Sequence, residues 1–239
     1  MARNGQWRMK ILVVDVGGSH IKLKIWGKAR KVKFDSGNRM TPQRMMKQIA
    51  ALGVDWKYDA VSIGLPAPVI HGRPAGDPPN LGKGWTRFDF EKHFKKPVKI
   101  INDAAMQALG SYRGGRMLFL GLGTGVGSAL ILDDIIVPLD LGDLWYTKDK
   151  MLWEVIGKDG RKQAGPKAWE RAVHKVARQL MTAFQADHLI IGGGNAKRLK
   201  RLPRGARRGS NEKAFTGGAR LWRTSARFAQ PQKHTWVIA

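Results

Sequence analysis

The chain contains no cysteine, which excludes disulfide bridges and thiolate metal sites. Acidic side chains are scarce: 18 Asp and Glu stand against 43 Lys and Arg, for a formal net charge of +25. An imbalance of that size implies an anionic partner, whether nucleic acid, an acidic membrane or a polyanionic substrate. The six histidines lie scattered, none at metal-ligand spacing, so no zinc site is expected. No apolar run approaches the length of a membrane span, and "MARNGQWRMK" lacks the apolar core of a signal peptide. These absences together predict a soluble cytoplasmic protein with no membrane partner.

What is present is globular. The chain has 239 residues, 43% of them hydrophobic, enough for one large domain or two small ones. In "ILVVDVGGSHIKLKIW" two apolar runs, 11–16 and 21–26, flank Gly17 and Gly18, which predicts a β-hairpin. "MLFLGLGTGVGSALIL" repeats the pattern, and two such hairpins about half a chain apart suggest a duplicated architecture. Thr41 and Pro42 predict the N-cap and first position of a helix with Met45, Ile49 and Leu52 on one face. "AVSIGLPAPVIHG" predicts a strand running into a Pro/Gly loop. Its continuation, "RPAGDPPNLGKGW", is too long for a simple turn and is a candidate functional loop. "VKIINDAAMQALGSY" predicts a strand, an N-cap at Asn102 and a short helix. Pro166 opens a predicted long helix with Trp169, Val173, Val176, Leu180 and Phe184 at helical spacing. "DHLIIGGGNAKRL" reads as a strand, three glycines and a helix start, and the arginine-dense segment after it as a basic loop with a last helix beyond.

The glycine clusters invite nucleotide readings. "GLGTGVGS" lacks the lysine of a Walker A loop, and Val126 stands where G-x-G-x-x-G needs its third glycine. Glycine turns can still aim successive amides at one anion, with Thr124 adding a hydroxyl. Each hairpin alone could equally be a tight turn with no ligand. Three glycine clusters at strand ends, the first preceded by Asp15, favour phosphate binding.

These stretches resemble a known set. "VDVGGSHIKL", "LGLGTGVGSAL" and "IIGGGN" resemble the two phosphate motifs and the adenosine motif of the actin/hexokinase-type phosphotransferases. "SIGLPAPVIHG", "PPNLGKGW" and "INDAAMQA" narrow the resemblance to the ROK sugar kinases, in their polyphosphate/ATP-glucokinase branch. The resemblance spans roughly residues 11–225. It implies an α/β, two-domain actin/hexokinase-like (ribonuclease H-like) fold with a central cleft. The expected divisions are a tail over 1–8, an N-terminal domain over 9–102, a C-terminal domain over 103–213 and a tail over 229–239. A helix near 214–228 is expected to return to the N-terminal domain.

The resemblance also implies roles. Asp103 would be the general base for the sugar 6-hydroxyl; a helix start favours its negative charge. Asp15 would hold Mg2+, through water. Gly17, Gly18, Ser19 and Lys22 would contact one side of the donor phosphates, and Gly123, Thr124 and Gly125 the other. Lys22, on an alternating strand, could instead face solvent. Gly193, Gly194 and Asn195 would approach adenosine. Asn80 and Asn102 would join Asp103 in binding sugar hydroxyls, since an amide both donates and accepts. The donor would be ATP, inorganic polyphosphate or both, and a homodimer is a family expectation.

Two departures stand out. Where the family usually has Glu-x-x-His at the sugar, this chain has Asp140 and Asp143 in "PLDLGDLWY", and the cysteine-rich zinc loop of many relatives is missing. Asp140 keeps the charge on a shorter stem, and Asp143 replaces a ring with an anion. The pair motivates an alternative, a non-catalytic sugar-binding protein. The basic positions 197, 198, 200, 201, 204, 207 and 208, with "KLKIWGKARKVK", are either a solvated surface or a polyphosphate track. A nucleic-acid-binding regulator is disfavoured: the first phosphate motif begins at residue 11, where ROK repressors carry a helix-turn-helix, and no RNA-binding aromatic motif is present.

Overall fold

The computed structural model describes residues 9–52, 56–132 and 135–223, and the backbone of Trp236–Val237. The expected tail over 1–8 and the stretch 224–228 of the expected last helix lie outside them. The chain divides into two compact units, Met1–Ile101 and Asn102–Ala239.

The first unit is built on a sheet ordered β3-β2-β1-β4-β7. Its strands are β1 (Ile11–Val16), β2 (His20–Ile25), β3 (Lys31–Asp35), β4 (Ala60–Leu65) and β7 (Val98–Asn102). β1 to β3 form an antiparallel meander, and β4 joins β1 in parallel. Helix α1 (Pro42–Ala51) starts as expected: the Thr41 side chain accepts from the Arg44 N–H at 3.2 Å. Met45 and Ile49 are buried in a core with Leu12, Val14, Leu23 and Trp85, and Leu52 packs against it. A two-strand ribbon, β5 (Val69–Ile70) with β6 (Arg73–Pro74), and the short helix α2 (Phe90–Phe94) complete the unit.

The second unit repeats the plan. Its sheet runs β12-β11-β8-β9-β10-β13. The strands are β8 (Met117–Leu122), β9 (Val126–Leu132), β10 (Ile135–Leu139), β11 (His188–Gly192), β12 (Ala206–Arg208) and β13 (Trp236–Val237). β8 to β10 form the second meander, and β11 joins β8 in parallel. The order β3-β2-β1-β4-β7 is thus matched by β10-β9-β8-β11-β12, the duplication that the two hairpins suggested. Helices α3 (Asp103–Ser111), α4 (Leu152–Ile156), α5 (Lys158–Ala183) and α6 (Lys213–Arg220) pack around it.

Several expectations are corrected. The long helix opens at Pro166 as expected, but a helical segment from Lys158 precedes it within α5, separated by Gly165, whose φ of 76° is outside the helical range. Trp169, Val173, Val176 and Leu180 do form the buried face, and the Trp169 indole N–H donates to the Ile156 carbonyl at 2.8 Å. After the third glycine cluster comes a single 3-10 turn, Ala196–Arg198, in place of an α-helix. The last helix, α6, packs against α3. The reason is local: Gly110 and Gly217 remove the side chains between the two backbones, and the Arg220 guanidinium donates to the carbonyls of Leu109 and Tyr112 at 2.6 and 2.9 Å. Part of the expected C-terminal tail is a strand, since β13 pairs antiparallel with β10.

The arginine-dense segment is tied to α5. The Glu170 carboxylate accepts from the Arg201 N–H at 2.8 Å, and a His174 ring nitrogen lies 3.1 Å from the Arg201 carbonyl. The Arg201 N–H holds the Glu170 carboxyl below its ordinary pKa, against a desolvation effect that raises it; the Lys200 N–H and the charges of His174 and Lys200 also lower it. A lowered folded-state pKa contributes stability above the unfolded value, about 4.3, and that contribution is lost as pH falls through the folded value. Glu170→Gln keeps an acceptor but not the charge. Its urea midpoint is expected to lie below wild type at pH 7 and to converge with it below about pH 4. A gap that stays constant over that range would remove the carboxylate from the account.

Candidate active site

The sequence-predicted residues fall into one cluster in each unit. In the first, Asp15 lies near the end of β1 and is 4% exposed. The hairpin register puts it opposite Lys22, whose ammonium sits 2.9 Å from Asp15 Oδ2. Lys22 is therefore neither a solvent-facing lysine nor an uncommitted phosphate ligand. It neutralises a buried carboxylate that would otherwise be costly to hold. The signal was available: pairing the runs 11–16 and 21–26 end to end already sets residue 15 against residue 22.

The turn that follows commits one amide. Gly17 N–H donates to the His20 carbonyl at 3.0 Å, so of the three amides expected at the phosphate the first is committed to the turn. Ser36, which the sequence did not single out, braces the turn twice. Its hydroxyl donates to the Gly17 carbonyl at 2.6 Å and its N–H to the Ser19 carbonyl at 3.0 Å. Asn80 is brought to this turn: a Cβ on Gly18 would lie 3.2 Å from the Asn80 Cβ. The long polar loop is ordered around it. Asp77 accepts from the N–H groups of Gly84 and Trp85 at 3.0 and 2.7 Å, Gly82 N–H donates to the Met40 carbonyl at 2.9 Å, and Leu81 and Trp85 are buried. Asn80 is exposed between these anchors. Only the position of Asp77 in a Pro/Gly loop hinted at its bracing role.

In the second unit, Asn102 caps α3: its side-chain oxygen accepts from the N–H groups of Ala104 and Ala105 at 3.0 and 3.1 Å. That oxygen is thus spent on the helix, which limits what Asn102 can offer a sugar. Asp103 is half-buried at the first position of α3, with Oδ1 held 2.8 Å from the Ala104 N–H. A Cβ on Gly127 would sit 2.7 Å from that of Ala104, so the second glycine hairpin lies directly against the helix start that carries Asp103.

At the tip of that hairpin, Gly123 N–H closes onto the Gly125 carbonyl at 3.0 Å, and Thr124 and Gly125 are exposed. The Gly123 carbonyl accepts twice, from the Asn195 side-chain amide and from the Lys158 N–H, each at 3.0 Å. The third glycine cluster is thereby locked onto the hairpin. Gly193 has φ 80°, and a Cβ there would come within 2.5 Å of the Leu122 carbonyl oxygen. The Gly157–Lys158 start of α5 completes this group and was not anticipated.

The departing pair sits alongside. The buried Ser128 hydroxyl on β9 donates to the Leu139 carbonyl at 3.0 Å and accepts from the Leu141 N–H at 2.9 Å, fixing the chain around Asp140. Desolvation, and then the charge of Asp143, push the Asp140 carboxyl above its ordinary pKa. Of the basic positions 197–208, Arg208 is not part of a ligand surface: its guanidinium donates to the carbonyls of Ala196 and Leu199. All seven residues are exposed.

Among the described residues no three His, Asp or Glu side chains are grouped to hold a metal ion. Asp15 as one buried carboxylate beside a turn suits Mg2+, which takes one or two carboxylates and completes its shell with water and substrate phosphate. No helix among the described residues is long and apolar enough to cross a membrane.

The family model for the ROK family matches residues 11–138, more than half of the chain. The chain belongs to the ROK family. A curated relative, the polyphosphate glucokinase of Mycobacterium tuberculosis, is 28% identical, with 77% of each chain covered. The fold matches solved ROK structures. The inorganic polyphosphate/ATP-glucomannokinase from Arthrobacter sp. strain KM superposes with a TM-score of 0.75 at 23% identity, covering 88% of this chain and 97% of that one. The ROK family glucokinase from Streptomyces griseus, solved with glucose and AMPPNP, superposes with a TM-score of 0.68 at 17% identity, covering 88% and 98%. These likenesses bear out the two-domain actin/hexokinase-like architecture read from the six ROK motifs.

Proposed function

We propose that this ROK protein is a hexose kinase, transferring a phosphoryl group from polyphosphate, ATP or both to the 6-hydroxyl of glucose or a related hexose. One observation carries the reading. In the second unit a carboxylate at a helix start, Asp103, adjoins the glycine hairpin whose tip, Thr124 and Gly125, is exposed. That is an acceptor for a proton next to donors for a phosphate. The curated relative's glucokinase activity agrees with it.

In this reading the sugar oxygen attacks the terminal phosphorus, the bond from phosphorus to the leaving oxygen breaks, and the hydroxyl proton passes to Asp103. Such transfers depend mostly on positioning and charge stabilisation. The amides of Gly18 and Ser19 and the Thr124–Gly125 turn bind the donor phosphates. Asp15 would hold Mg2+, which when bound neutralises charge on those phosphates. The Lys22 ammonium orients the Asp15 carboxylate through their 2.9 Å contact. Asn80, beside Gly18, and Asp140 are the sugar contacts, and Gly193, Gly194 and Asn195 border the place for adenosine.

The test is phosphorylation of glucose, mannose and N-acetylglucosamine with Mg2+, with ATP and long-chain polyphosphate assayed in parallel. Turnover of at least one hexose is the expected result. Sugar binding by calorimetry with no turnover from any donor would make this a non-catalytic sugar-binding protein, with Asp140 and Asp143 the first residues to revert.

A further inference from the structure

The first turn of α5 carries an arginine whose charge has no counter-ion among the described residues. Arg161 is half-buried, its Nε is buried without a hydrogen-bond partner, and its guanidinium forms no ion pair. The two acids nearest to it in the chain are engaged elsewhere. Asp159 lies 3.8 Å from the Lys162 ammonium, and Glu154 accepts from the Met151 N–H at 2.8 Å. What the guanidinium does meet is the Trp169 ring, with its central carbon 5.8 Å from the ring centroid. A guanidinium over an aromatic ring is held by its flat face, which leaves the N–H groups at its edge free to donate. A charge kept partly out of water with a donor unmet is costly in the protein alone, and the cost is relieved when an anion arrives.

The chain places this cation beside the second glycine hairpin. Gly157 stands against the Thr124 carbonyl, since an added Cβ would lie 2.9 Å from that oxygen. The next residue, Lys158, gives its N–H to the Gly123 carbonyl at 3.0 Å, and Arg161 gives its own to the Gly157 carbonyl at 3.2 Å. Arg161 is thus one helical turn from the residue that abuts the hairpin tip. The break at Gly165 fits this arrangement. It separates the segment that carries Arg161 from the segment that carries Trp169, and the ring of the second supports the guanidinium of the first. We infer that Arg161 is a further donor-binding residue, whose guanidinium donates to phosphate oxygens of the ATP or polyphosphate chain held at the Thr124–Gly125 turn. The inference rests on the reading of that turn as a donor-phosphate site. A planar fork of N–H donors suits phosphate oxygens, which accept and carry charge. Phosphate is the group that the two donors share, so both should depend on Arg161.

The test compares wild type with Arg161→Met, which keeps an apolar stem beside Trp169, at one ionic strength. Tripolyphosphate binding is measured by calorimetry without hexose, and KM is measured for ATP, for long-chain polyphosphate and for the hexose that is turned over. Arg161→Met is expected to weaken tripolyphosphate binding and to raise KM for the donors by about 10- to 100-fold, the range of a hydrogen bond to a charged group. KM for the hexose should stay unchanged, which also shows that the variant folds. Arg161→Lys keeps the charge but not the planar fork; it should show the same pattern with a smaller loss, and it decides the question if Arg161→Met does not fold. Donor constants equal to wild type in both variants would make Arg161 a structural partner of Trp169 and leave the kinase reading standing. Weaker tripolyphosphate binding with no hexose phosphorylated by wild type would keep the phosphate contact and end the kinase reading. A wild type that neither binds tripolyphosphate nor phosphorylates a hexose removes both. A loss confined to ATP would move Arg161 to the nucleoside and overturn the phosphate assignment.

Discussion

Replacing Asp103 with Asn is expected to lower kcat by about 10²- to 10⁴-fold, the usual contribution of a positioned general base. The substitution is nearly isosteric. The new amide oxygen can still accept from the Ala104 N–H, and Asn102 continues to cap α3 through Ala104 and Ala105. Folding and sugar affinity should therefore be little changed. If the proton that passes to Asp103 is the sugar's, as proposed, the loss should be the same factor with ATP as with polyphosphate. A loss confined to one donor would place Asp103 at the donor phosphates. A loss below about tenfold would leave it as a structural residue of the helix start.

The second large effect is on stability. Gly110→Ala is expected to destabilise the fold by about 3 kcal/mol or more, at the upper end for overpacking. A Cβ on Gly110 would fall on the carbonyl oxygen of Lys213, and one on Gly217 would fall on that of Met106. Both obstacles are backbone, so no rotamer change relieves them. The urea midpoint should drop by about 1 M or more. Gly76→Ala, where an added Cβ meets nothing within 4 Å, serves as the control and should leave it unchanged. Because α3 carries Asp103 at its other end, residual activity of Gly110→Ala should fall with α3 order. An unshifted midpoint would mean that α3 and α6 are not packed backbone to backbone.

The contrast between those two residues marks what the sequence could reveal. The helix start that carries Asp103 was legible because local signals agree: an apolar strand, an Asn cap, an acid in the first turn and a helical apolar face; the role given to Asp103 is what the ROK resemblance implies. The glycine hairpins were legible for the same reason, since alternation and turn glycines are set by neighbours in the chain. Gly110 and Gly217 read only as weak helix residues, because their purpose is a contact between segments a hundred residues apart. Ser36 and Asp77 escaped likewise: each satisfies backbone groups of a distant or irregular segment. The α5 kink escaped because Pro166 is an ordinary helix opener, and Gly165 before it gave no sign that a helix already precedes it. Charge was legible in amount but not in use. Composition cannot say that Arg208 is spent on two carbonyls while Lys24, Lys31 and Lys33 share a face with Lys22.

The Asn195 side chain bears on how this lineage could change its fuel. That amide holds the Gly123 carbonyl, and the Asn195 N–H holds the Leu122 carbonyl at 2.9 Å, so the loop that would border a nucleoside also buttresses the phosphate hairpin. A descendant that abandoned nucleotides for a purely inorganic donor would still be selected to keep the asparagine and the glycine at 193. The motif would outlive the ligand, preserved as masonry.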